Sequence, residues 1–126
     1  MVLDENCTTR LVPEIFSVKW TSMVLHALHL HGGVARTGVL TRSLPRISKK
    51  ILIQTLREVE RDGLIGRKIH PVVPRMVEYS LMPLGDRFIE PLFLLYEWGE
   101  KNAKFLKQIT RRRRSVLEAR KPKRKN

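Results

Sequence analysis

Three sets of side chains in this sequence have types and spacings able to do chemistry. The first is one thiol, Cys7. A thiolate held near cations is a nucleophile and is readily oxidised, and Arg10 and Lys19 are candidate neighbours; a thiol buried under a docked arm would be inert. The second is His26, His29 and His31. Metal ligation needs converging nitrogens and usually a further Cys or carboxylate, and a spacing that crosses a helix end at Gly32-Gly33 matches no recognisable zinc pattern. The third is Ser48, Lys49, Lys50, Ile53, Gln54 and Arg57. Gln and Arg can each place two parallel hydrogen bonds on a planar base edge, Lys pairs with phosphate, and Ile can meet a methyl group. No Ser/His/Asp or Cys/His set, no paired carboxylates and no glycine-rich phosphate loop can be identified, so neither an enzyme nor a cofactor or metal site is expected.

The third set needs a rod to carry it, and the sequence supplies one. Ser48 can cap a helix that Gly63 ends. At about 100° per residue, Ile51, Leu52, Thr55, Leu56 and Val59 fall in one arc, and Lys49, Lys50, Ile53, Gln54, Arg57 and Arg61 fill the opposite one. One side is expected to be buried and the other to reach outward. Upstream, residues 8–16 allow a short helix weakened by Pro13. Trp20, Met23, Val24, Ala27 and Leu28 mark a helix from Lys19 to Leu30, and a short brace helix is expected over roughly 35–43. After Gly63 the period changes to two, over Leu64–His70 and Met76–Leu81, which predicts a hairpin whose connection holds Pro71 and Pro74. Leu84, Phe88, Leu92, Leu95 and Gly99 then restore helical spacing toward Ile109, with a bend expected at Pro91.

Charge narrows the partner. The 126 residues carry a net charge of +13, with a pI near 10.8. Residues 111–126 hold nine Lys/Arg against one Glu, a net of +8, which leaves +5 on the rest of the chain. A polyanion is implied, nucleic acid before an anionic membrane. At 42% hydrophobic and 29% charged the composition suits a folded soluble domain. No apolar run approaches the roughly 20 residues that span a bilayer, and the start, with Asp4 and Glu5, lacks the pattern of a signal peptide. A cytoplasmic protein without membrane contact is expected, and one cysteine excludes an internal disulfide framework.

Helix, brace helix, capped helix with a basic outer side, then a hairpin is the order of a winged helix-turn-helix, in which the capped helix enters a major groove and the hairpin touches flanking backbone. The residues also resemble the HxlR-type family of winged-helix regulators over about residues 7–100. The matching pieces are Cys7, Lys19-Trp20-Thr21, Ile47-Ser48, the run Leu56-Arg57-Glu58-Val59-Glu60-Arg61-Asp62-Gly63-Leu64-Ile65, Val77-Glu78-Tyr79-Ser80-Leu81, Gly85 and Trp98-Gly99. The resemblance implies a DNA-binding homodimer, joined through an N-terminal arm and a long C-terminal helix, that represses or activates a promoter. It also implies a redox or electrophile-sensing role for Cys7, as in some members of the family, with an oxidant or small molecule as inducer. Departures are Ser17-Val18 for a glycine pair, Thr37 and Val39 for Phe and Glu in the brace helix, Arg75-Met76 for Pro-Arg in the wing, and Met82 for a capping Thr.

The expected fold is therefore mainly α with a small β-hairpin wing (α+β). Its parts are an arm (1–18), a winged helix-turn-helix domain (19–82), a long C-terminal dimerisation helix (83–110) and a basic flexible tail (111–126). Besides the capped helix, Arg36, Arg67, Lys68 and Arg75 are candidates for double-stranded DNA, and Phe88, Leu92, Leu95, Tyr96, Trp98 and Gly99 for the subunit contact. The alternative is a nucleoid-like or RNA-binding winged-helix protein without sequence choice. A third reading is an adaptor that binds another protein through its hairpin and long helix.

Overall fold

The computed structural model describes residues 11–16 and 20–120. Cys7, Arg10 and Lys19, most of the expected arm, and the last six residues lie outside that range. The elements in chain order are α1 (Leu11–Ile15), α2 (Thr21–Leu30), β1 (Val34–Arg36), α3 (Thr37–Ser43), α4 (Lys49–Arg61), β2 (Ile65–His70), β3 (Met76–Leu81), α5 (Pro83–Asp86), α6 (Ile89–Lys101) and α7 (Ala103–Arg120). The chain divides into two compact units, residues 1–92 and 93–126.

In the first unit α4 is built as its sequence dictates. Ser48 sits in extended backbone and its hydroxyl accepts from the Ile51 N–H at 3.2 Å, which satisfies one of the donors a helix start leaves open. Leu52, Thr55, Leu56 and Val59 are buried. The Thr55 hydroxyl donates to the Ile51 carbonyl at 2.8 Å, so its burial strands no polar group. Ile51 itself, expected inside, is 39% exposed, because it lies at the edge of the apolar arc. At the other end the Leu64 N–H reaches the Val59 carbonyl and the Gly63 N–H the Glu60 carbonyl, a Schellman closure that needs the left-handed φ of +77° Gly63 supplies.

Helix α2 packs against α4, and Val24, Leu25 and Leu28 of α2, Leu40 of α3 and Leu64 are buried in the core together with the apolar side of α4. The sheet has three strands in the order β1-β3-β2, all antiparallel. The hairpin was expected; β1 was not. It occupies the first part of the expected brace helix, pairing Val34 with Ser80 and Arg36 with Glu78, so α3 starts only at Thr37.

The expected single helix over 83–110 is three helices. Met82 caps α5 without a side-chain bond, and Pro83 opens it with a backbone already set for a helix. Pro91 lies in the first turn of α6, where no N–H is needed, and the helix continues unbroken past it to Lys101. The breaks fall at Arg87–Phe88 and at Asn102 instead. In the second unit Asn102 turns both its backbone N–H and its side-chain amide onto the Trp98 carbonyl, at 3.0 and 2.9 Å. The tail, expected to be flexible from residue 111, is helical through Arg120. Arg is a good helix former, and no Gly or Pro interrupts the run until Pro122. No helix among the described residues is long and apolar enough to cross a membrane.

Gly85 is buried against Leu64, and a Cβ there would overlap the Leu64 carbonyl group. That carbonyl also accepts from the Met82 N–H at 3.0 Å, so it cannot move aside freely. Gly85→Ala is expected to cost about 3 kcal/mol or more in thermal or denaturant unfolding. Gly38→Ala, where the added carbon meets only the Arg42 side chain at 3.6 Å, is expected to be neutral or to stabilise by about 0.5–1 kcal/mol.

Candidate nucleic-acid interface

The outer side of α4 forms an open depression of about 580 Å³ lined by Lys49, Lys50, Ile53, Gln54, Arg57 and Glu58. Four of these, Lys49, Lys50, Gln54 and Arg57, are exposed, and Ile53 and Glu58 are half-buried. The structure thus brings together all the α4 candidates except Ser48, whose hydroxyl is occupied by its cap. Glu58 is an addition: at about 180° from Lys49 it borders the polar arc, and a carboxylate there can accept from a cytosine amino group.

A second groove of about 810 Å³ runs between α3, the start of α4 and the wing. Its cations are Arg36, Arg42, Lys49 and Arg75, and its apolar lining includes Val39, Ile53, Val72 and Val73. Arg36 is placed there because it ends β1 and is also the extended residue that precedes α3. Arg42, in the last turn of α3, was missed by sequence reasoning: only the fold brings it near Arg75. Val73 at the wing tip is fully exposed.

Arg67 and Lys68 do not join this groove. The register pairs Arg67 with buried Tyr79 and Lys68 with Glu78, so the two point to opposite sides of the sheet. Arg67 reaches Glu60 at 3.4 Å. Burial pushes the Tyr79 phenol up, and the nearby Arg67 charge opposes that rise. Arg67 thus serves the junction between α4 and the sheet.

The histidines do not converge. Burial lowers His26, with His29 adding to the effect, and His31 bonds the Ser43 hydroxyl through Nε2 at 2.7 Å. Among the described residues no three His, Cys, Asp or Glu side chains are grouped to hold a metal ion.

Of the residues expected at a subunit contact, Phe88 and Leu92 face their own chain. Phe88 stacks edge-to-face on Phe16 at 5.4 Å and 85°, and Leu92 is buried. Leu95 and Trp98 are more than half exposed, while Tyr96 and Gly99 are half-buried.

Residues 15–107 match the model of the family described as HxlR-like helix-turn-helix. This chain belongs to that family. It is 42% identical to the HTH-type transcriptional regulator YkvN of Bacillus subtilis over 94 residues, 75% of this chain and 78% of the relative. A solved transcriptional regulator of Porphyromonas gingivalis W83, described as of the MarR family, superposes with a TM-score of 0.72 at 36% identity, over 81% of this chain and 98% of that one. The redox regulator HypR in its reduced form superposes with a TM-score of 0.71 at 29% identity, over 81% and 99%. This HxlR-like chain is a winged helix-turn-helix regulator of transcription that binds DNA.

The two wing arginines are expected to differ. Arg75→Ala and Arg42→Ala should each lower the slope of log affinity against log salt for duplex DNA by about 1. Arg67→Ala should leave that slope unchanged in the same titration and lower stability by at most about 1 kcal/mol, since its ion pair is still partly open to water.

Proposed function

We propose that this HxlR-like regulator works as a homodimer on an inverted-repeat operator, with α4 in the major groove and the groove between α3 and the wing astride the adjoining phosphate backbone. The observation that carries the reading is the shared open surface of Lys49, Lys50, Ile53, Gln54 and Arg57 on a helix whose opposite side is buried. A helix is about 10–12 Å across and the major groove about 12 Å wide, so this side reaches base edges without distortion. Gln54 reads adenine and Arg57 guanine. Lys49 and Lys50, near the helix start, hold phosphates, as do Arg36, Arg42 and Arg75.

Dimerisation rests on α6. Phe93, Leu94, Leu95 and Trp98 are each more than half exposed, and a run of large apolar side chains on one short helix is the kind of surface a second subunit covers. Half-sites about 34 Å apart, one turn of the duplex, are expected for such a dimer. The protein acts by binding rather than by catalysis, in the cytoplasm where its DNA lies.

The likeness to HypR favours an oxidant as the signal, with Cys7 as the responding thiol. With one cysteine per chain, oxidation by diamide removes one hydrogen from each of two thiols. It therefore joins two chains, or one chain and a small thiol, through a disulfide.

Selection of bound sequences from a random duplex pool at physiological salt should recover an inverted repeat, and Gln54→Ala or Arg57→Ala should relax one position in each half-site at a cost of about 1–3 kcal/mol. A pool that stays unenriched would instead assign the protein to binding without sequence choice. Diamide should weaken operator binding in the wild type, with recovery on reduction, and leave Cys7→Ser unaffected; equal loss in both proteins would remove Cys7 as the sensor.

A further inference from the structure

The family match ends at residue 107, and the densest charge in the described chain begins just beyond it. Helix α7 carries seven Lys/Arg against one Glu, a net of +6. Every residue from Lys104 to Arg120 is exposed, and among the described residues no ion pair engages Arg111, Arg112, Arg113 or Arg114. A helix repelling itself this strongly is relieved by a polyanion.

The arrangement of the charges says which kind. In a helix, four consecutive residues step by about 100° each, so Arg111 to Arg114 point in four directions around the whole circumference. A flat anionic surface, such as a bilayer, can meet only about half of them. It would also have to accept Arg113 and Arg120, which lie between the row of Phe105, Ile109 and Val116 and the row of Leu106 and Leu117, in the middle of the side an interfacial helix would bury. A nucleic-acid groove has phosphates on both walls, about 12 Å apart, and meets arginines on both flanks of a helix at once.

We infer that α7 is a second DNA-binding element of this chain, separate from α4, which holds the phosphates of duplex DNA through Arg111, Arg112, Arg113 and Arg114 without reading sequence. The choice of DNA as ligand rests on the family's function; the site itself shares no residue with the operator-reading surface. It supplies salt-sensitive affinity for any duplex and lets the protein remain on DNA while it searches.

The test uses the full chain and a duplex of scrambled, non-operator sequence, titrated between about 50 and 200 mM salt. The fourfold variant Arg111→Gln/Arg112→Gln/Arg113→Gln/Arg114→Gln should lower the slope of log affinity against log salt by about 2–4, given about 0.9 for each phosphate that is no longer neutralised. The pair Arg112→Gln/Arg114→Gln, a milder change should the fourfold variant fold poorly, should lower it by about half as much. The corresponding fourfold Lys variant should keep the wild-type slope, because the charge is kept. Unchanged slopes in the Gln variants overturn the inference. So does loss of binding to phosphatidylglycerol vesicles with duplex binding intact, which would assign α7 to a membrane. Since the duplex is not an operator, failure to recover an inverted repeat leaves this result standing, and unchanged slopes here leave the operator reading untouched.

Discussion

The division of α4 into a buried and an open side governs the rest of the molecule. Leu52, Leu56 and Val59 are buried with Val24, Leu25 and Leu28 of α2, and truncating any one of these leucines to Ala would forfeit about 2–5 kcal/mol of packing. That anchorage sets the rotation of the helix about its own axis, and the rotation decides which five side chains face out. A turn of one residue would carry Gln54 and Arg57 toward the rim of the domain. The hydrogen-bonded ends, at Ser48 and at Gly63, fix where the rod starts and stops.

Electrostatics then sorts the cations by what lies beside them. Arg67 lies within reach of Glu60 and on the rung of Tyr79, so its charge is partly answered inside the fold. Arg36, Arg42, Lys49 and Arg75 share one groove that, among the described residues, no carboxylate lines, and like charges gathered this way raise the local potential toward any phosphate strand that enters. Glu58, at the edge of the α4 depression, is the one acidic group lining it among the described residues. A carboxylate there makes that surface less attractive to bare phosphate than the neighbouring groove.

Local signals were the legible ones. The Ser48 cap, the Gly63 stop, the strand β3 and, save for Ile51, the two-sided pattern of α4 are each written within a few residues, and each stands in the structure where the sequence placed it. What escaped was set by residues far apart. Val34-Ala35-Arg36 is too short to show a period, and its partners on β3 are distant in the chain. Arg42 became part of the groove only through the approach of α3 to the wing. The helix breaks at Arg87–Phe88 and Asn102 have no Gly or Pro to announce them, whereas Pro91, which does look like a breaker, is harmless in a first turn. Of the basic tail, composition revealed the charge and concealed the helix.

The short strand β1 has a mechanical meaning. Arg36 is at once its last residue and the N-cap that immediately precedes α3, so no linker separates the sheet from the brace helix. The wing and the brace are therefore coupled as a lever is to its shaft: a tilt of the hairpin is passed to α3, and with it to one wall of the groove that holds Arg36, Arg42 and Arg75. A surface assembled this stiffly loses little freedom when DNA arrives, which leaves more of the contact energy available to distinguish one sequence from another.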